Sequence, residues 1–168
     1  MTQTDLKLIG IGFPPFSSRS CQQTLELISR GELKRTVNGK LVTLGNDKTS
    51  KYRTVIQGTD IHSPGFESIH PGQDIHVHCL HRVWQEVLET SIELKRPYVT
   101  GSLVAVTQDG KPISLVKAEG QQVEIDPSSP LPFYLSYCPI LEMKVISFSS
   151  EVEEWKMETR WKLVLEEV

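Results

Sequence analysis

The chain has 168 residues, 38% of them hydrophobic, and 18 Lys and Arg stand against 21 Asp and Glu for a formal charge of −3. That length suits one domain with a real hydrophobic core, and the balanced, interspersed charge gives no pull toward nucleic acid. The opening MTQTDLKLIGIG lacks the basic and long apolar regions of a signal peptide, and no stretch approaches the ~20 apolar residues of a membrane span, so a soluble protein made in a reducing cytoplasm is expected.

Leu6, Leu8 and Ile9 begin a short strand, which GFPPFSSRS ends because tandem prolines cannot donate to a ladder. Phe13 and Phe16 flank those prolines and can anchor the segment on the body of the domain or on a neighbouring subunit. CQQTLELIS alternates weakly and fits a strand or a short helical turn, of which the strand is the reading kept. ELKRTVNGKLVTLG joins two β-rich runs through Asn38-Gly39, which predicts a hairpin closed by a two-residue type I′ turn. GNDKTS is turn-like, and KYRTVIQGTD alternates Tyr52, Thr54 and Ile56 against Arg53, Val55 and Gln57 as a strand does. The polar, Gly- and Pro-marked stretch at about 59–74 is longer than the usual connection inside a compact domain, which favours a working loop.

In QDIHVHCL, Ile75, Val77 and Cys79 share one face, and His76 and His78 the other. Then the period changes. Leu80, Val83, Trp84, Val87, Leu88 and Ile92 fall on one helical stripe with Glu86, Glu89 and Glu93 off it, predicting a helix at roughly residues 81–94 that Pro97 ends, although the β-branched Val and Ile would also suit a strand. Strand patterns return in YVTGSLVAVTQ, after a turn at Asp109-Gly110 in KPISLVKAEG, and in QQVEID, FYLSYC and PILEMKVISFS. In EWKMETRWKLVLEE, Trp155, Met157, Thr159, Trp161, Leu163 and Leu165 alternate with charged residues. This predicts one long half-buried strand with both tryptophans inward. The sum is a mainly β fold, an antiparallel β-sandwich or barrel with one flanking α-helix, in a single β-rich domain over 1–168.

The stretch DIHVHCLHRVW carries the densest chemistry. His76 and His78 point the same way, as a chelating pair must, and His81 with His62 or His70 could complete a metal set. The cupin pattern shares only the H-x-H: its glycine and glutamate are misplaced here, and no second motif follows. Metal binding through His76, His78 and His81 is therefore the minor reading, against histidines on a solvated or subunit-facing strand face. Cys21, Cys79 and Cys138 are odd in number and include no C-x-x-C pair, which points to buried free thiols and away from disulfides or a cysteine zinc site. No nucleophile elbow, P-loop or dinucleotide fingerprint is present, so neither a catalytic residue nor a cofactor is expected and the chain reads as a non-enzyme. Long strands carry exposed edges, and ordered self-association into a ring or trimer is the physical expectation.

Several segments, in order, resemble a group of small structural proteins of tailed bacteriophages and prophages: FPPFSSRS…QTLE, LKRTVNGKLVTLGN…KYRTVIQGTD, HPGQDIHVHC and YCPILEMKVISFSSEVEEWKMETRWKLVLEEV. The pattern of the resemblance is F-P-P-[FY], R-T-x-N-G-x-L-V, K-Y-[RK], P-G-x-x-[IV]-x-V-x-C and a terminal [DE]-E-W…W-x-L-x-L-E-E, and it spans nearly the whole chain. The resemblance implies a virion component of the tail tube, baseplate or neck, or alternatively a capsid-decorating protein, made in the host bacterial cytoplasm and packed against other virion proteins. It also implies a β-sandwich or barrel with a flanking helix and a loop that stacks successive rings, and it does not require a metal at His76 and His78. The candidate subunit contacts are then Phe13, Phe16, His62, Phe66, His70, His76 and His78, with no membrane partner and no sequence-specific nucleic-acid partner.

Overall fold

The computed structural model describes residues 5–28, 32–44 and 50–168. It is mainly β and its sheets are antiparallel. The G-N-D-K-T run at 45–49, expected as a turn, lies outside the described residues. The strands are β1 (Lys7–Ile9), β2 (Cys21–Ile28), β3 (Glu32–Arg35), β4 (Leu41–Leu44), β5 (Lys51–Asp60), β6 (Asp74–His78), β7 (Val83–Val87), β8 (Ser91–Glu93), β9 (Val104–Thr107), β10 (Pro112–Ile113), β11 (Leu115–Glu119), β12 (Gln122–Ile125), β13 (Phe133–Tyr137), β14 (Ile140–Glu153) and β15 (Glu158–Glu167). The chain divides into two compact units, the first built from residues 11–75 and 142–168, the second from 4–10 and 76–141.

In the first unit the long strands run in the order β14-β15-β5-β2. Registers such as Leu163↔Ile56 and Ile56↔Gln23 put every second residue of each strand on one inner face. Ile56, Thr54, Leu163, Leu165, Trp161, Met143 and Val145 are buried there. A bulge between Val145 and Ser147 shifts the alternation of β14, so that Phe148, opposite Leu163, stays on that face. In the second unit β13 lies between β9 and β7, β12 pairs β11 and β8, and β1 pairs β6. Phe133, Leu135, Tyr137, Val123, Ile125 and Val87 form its core.

The expected helix at 81–94 is not a helix. Residues 83–87 and 91–93 form β7 and β8, and the described residues contain only one helical turn, a 3₁₀ turn at Phe66–Ser68. The apolar stripe fits both periods. Trp84 and Leu88, which a helix would have buried with Val87, are exposed, while Val83 and Val87 turn inward on period two. The β-branched residues then favour the strand. The C-terminal segment is also corrected: Glu154–Met157 is the turn of the β14–β15 hairpin, so Trp155 is 93% exposed and Met157 is exposed with φ +51°, and of the six residues expected on the inner face Thr159, Trp161, Leu163 and Leu165 are buried.

The Asn38-Gly39 hairpin forms, but its turn is different. Thr36 N–H donates to Lys40 O (2.9 Å), Gly39 N–H donates to Thr36 O (2.8 Å), and Gly39 alone has positive φ (+78°). That is a three-residue loop ending in a left-handed glycine. Thr107–Lys111 repeats it, with Gly110 at φ +79° and the same two backbone bonds. In both loops the threonine Oγ1 also accepts from the lysine N–H, at 3.2 and 3.1 Å.

Candidate functional site

The F-P-P-F segment and residues 61–73 are both tied down within the first unit. His62 N–H donates to Phe16 O (2.9 Å) and Gly65 N–H to Gly12 O (2.8 Å), so the two stretches run together. Beneath them lies an aromatic cluster. The Trp161 ring is 6.0 Å from Phe13 and meets Phe66 edge-on at 5.9 Å, and Phe66 is 5.2 Å from Phe148. Trp161 Nε1 donates to Ser17 O at 2.9 Å, which removes the cost of burying an indole N–H. Gly58 makes room for that indole: a Cβ there would stand 2.6–2.8 Å from its ring atoms.

Beside the cluster, Arg19 and Asp60 form the tightest ion pair of the described residues. Arg19 donates through Nε at 3.0 Å and through its terminal nitrogen at 2.5 Å, and the backbone N–H groups of Arg19 (3.0 Å) and Ile61 (2.8 Å) complete the shell of the Asp60 carboxylate. The Arg19 side-chain bonds chiefly hold the Asp60 carboxyl down at about 2, aided by the two backbone N–H donors, and the same bonds raise Arg19. A carboxylate so saturated with donors cannot serve as a general base near neutral pH. On its other side the guanidinium lies 4.6 Å over the ring of Phe16, whose φ of +62° is rare for a non-glycine residue. A cleft of about 740 Å³ opens here, lined by Arg19, Thr59, Asp60, Ile61, Lys156 and Met157.

The expected contact residues divide among these surroundings. Phe13 is half-buried and Phe66 buried, both against the chain's own tryptophan, so the surface of Phe66 is committed to the core. Phe16, His62 and His70 are exposed in the first unit. In the second unit, His76 is exposed and His78 half-buried on β6, opposite Ile9 and Lys7 of β1, with Val77 and Cys79 buried on the other face. His81 is exposed beyond the end of β6. No group of three or more His, Cys, Asp or Glu side chains among the described residues could hold a metal ion.

The Arg19–Asp60 pair is not among the residues that the sequence singles out. A glycine in the middle of KYRTVIQGTD, where a strand loses packing by having one, was the available signal that something large lies over Gly58. Among the described residues no helix is long and apolar enough to cross a membrane. Comparison with protein-family models, with curated proteins and with solved structures returns no match.

Proposed function

We propose that this chain is a non-enzymatic structural protein of a tailed-bacteriophage virion, of the tail-tube, baseplate or neck type, which assembles with copies of itself or packs against other virion proteins. The observation that carries this reading is the distribution of apolar surface in the strand-rich first unit. Val152, Trp155 and Met157 gather at the free end of the β14–β15 hairpin and face outward, where a monomer gains nothing from them. Apolar, aromatic-tipped projections suit burial between subunits, where Trp is enriched. The resemblance of several segments, in order, to phage structural proteins supports the same reading. In this reading the antiparallel sheets form a sandwich or barrel, and the 61–73 segment with Phe16 and His62 faces a neighbouring subunit.

Mass spectrometry of purified particles from the phage or prophage that encodes the chain tests this. Recovery in many copies per particle is expected. Recovery only from the soluble lysate, with none in particles, would overturn it.

A further inference from the structure

We infer that copies of this chain join head to tail, the basic β3–β4 hairpin of one copy packing against the acidic, tryptophan-tipped end of the β14–β15 hairpin of the next. The inference deepens the assembly reading above and rests on it, naming what covers the apolar projection described there.

Among the described residues β3 and β4 form a two-stranded sheet of their own. A hairpin with no third strand and no packed face is marginally stable in water at best. Little of this one is packed: of its described side chains only Val42 is even half-buried. Leu33, Leu41, Leu44 and the tip residue Val37 are all exposed. Leu33 and Leu41 share a face with Arg35, because Leu33 lies opposite Thr43 and Arg35 opposite Leu41. The tip is nonetheless well defined, since Arg35 Nη1 donates to Gly39 O at 3.0 Å and so reinforces the bonds that Thr36 makes across the loop. An ordered projection with apolar side chains in water gains from cover, and that cover comes from another molecule.

Charge selects that molecule. The β3–β4 hairpin carries Lys34, Arg35 and Lys40 against Glu32, with Arg35 and Lys40 exposed on either side of the tip. The far end of the β14–β15 hairpin has the opposite excess, Glu151, Glu153, Glu154 and Glu158 against Lys156 and Arg160. Both of those cations lie against Glu153, at 3.0 and 3.9 Å, which leaves the surplus negative charge on its neighbours, of which Glu151 and Glu154 are exposed. Val152, Trp155 and Met157 stand exposed among them. Two like ends meeting about a two-fold axis would set cations against cations or carboxylates against carboxylates. Unlike ends bring opposite charges together and bury Val37 and Leu41 with Trp155. Within one chain both ends remain exposed, so this contact forms between copies. Because two different surfaces meet, each joined pair still presents one of each, and the contact propagates into a ring or an open row.

Two variants of the full chain, both at exposed turn positions, test this. Val37→Asp puts a carboxylate on the basic tip, and Trp155→Lys removes the aromatic anchor and puts a cation on the acidic end. In sedimentation each variant alone is expected to self-associate at least about tenfold more weakly than wild type, with an unchanged melting temperature. Mixed in equal amounts, the two should recover a single contact, between the intact acidic end of Val37→Asp and the intact basic hairpin of Trp155→Lys, and stop at a species of two copies. A wild-type chain that stays monomeric at high concentration overturns the inference. So does either variant associating as wild type does, or a mixture that associates no better than its components, which would assign these hairpins to a different partner. Copies recovered from virions alongside a failed mixing experiment would sink the head-to-tail contact alone, whereas absence from virions would sink the broader reading.

Discussion

Gly58 and Trp161 occupy neighbouring strands as opposite members of one cross-strand pair, and the indole lies over the glycine because nothing else could fit. Gly58→Ala would drive a methyl group into a ring held by Phe13, Phe66 and the Ser17 carbonyl, so the ring cannot swing away without losing its hydrogen bond. The expected cost is about 2–3 kcal/mol, read as a lowered midpoint in urea, and a stability equal to wild type would show that the indole is not clamped. Asp60 gives a different signature. Its carboxyl sits at about 2 in the folded chain against an ordinary 3.8, so protons bind the unfolded chain more tightly. The contribution of this group is complete above about pH 4 and is lost as pH falls through about 2. Asp60→Asn removes the charge that accepts from Arg19 and is expected to lower stability at pH 7. It should also flatten the acid limb of a stability-pH curve between about pH 4 and 2, and an acid limb as steep as that of wild type would refute the assignment.

The two Thr-x-[Asn/Asp]-Gly-Lys hairpins show how far a short element can be read. The Asn-Gly and Asp-Gly pairs announce the turns, but the flanking threonine and lysine decide which turn forms, through bonds that close a three-residue loop in place of a two-residue one. Only the glycine is then left-handed. Gly39→Ala and Gly110→Ala are each expected to cost about 1 kcal/mol in chemical denaturation, with asparagine at either site costing less. If alanine and asparagine cost the same, left-handed geometry is not what the glycines supply. Strands with clean alternation, such as β5, β6 and the body of β15, were legible because one inner face demands period two. Residues 81–94 misled because Glu86, Glu89 and Glu93 are exposed in either structure and cannot discriminate. The discriminating residues, Trp84 and Leu88, reveal their side only once β13 is known to lie beside β7. Trp155 misled for a related reason. Alternation continues through the hairpin turn, and only positive φ at Met157 marks where the strand has ended. The aromatic cluster and the Arg19–Asp60 pair join residues far apart in sequence, and no local pattern encodes them.

At the scale of the whole molecule, the path of the chain sets what can fold when. The first unit takes its central strand, β15, from the last residues of the chain, and β15 lies between β14 and β5. Until it arrives β5 has β2 alone, and Trp161 is missing from the aromatic cluster. The second unit draws nearly all its strands from 76–141, a continuous stretch with its own buried core. A chain ended at Glu153 therefore removes one partner from β5 and β14 while leaving Phe133, Leu135, Val123 and Ile125 with their neighbours. Hydrogen exchange is expected to separate the two: amides of 51–60 should lose protection in the shortened chain, and those of β9 and β13 should keep it. Long-range pairing of this kind also delays closure, since the loop between β5 and β15 must be ordered before any contact rewards it. Loss of protection throughout the shortened chain would mean that the units fold as one cooperative body, and that the second core, though contiguous in sequence, does not suffice to hold its own strands.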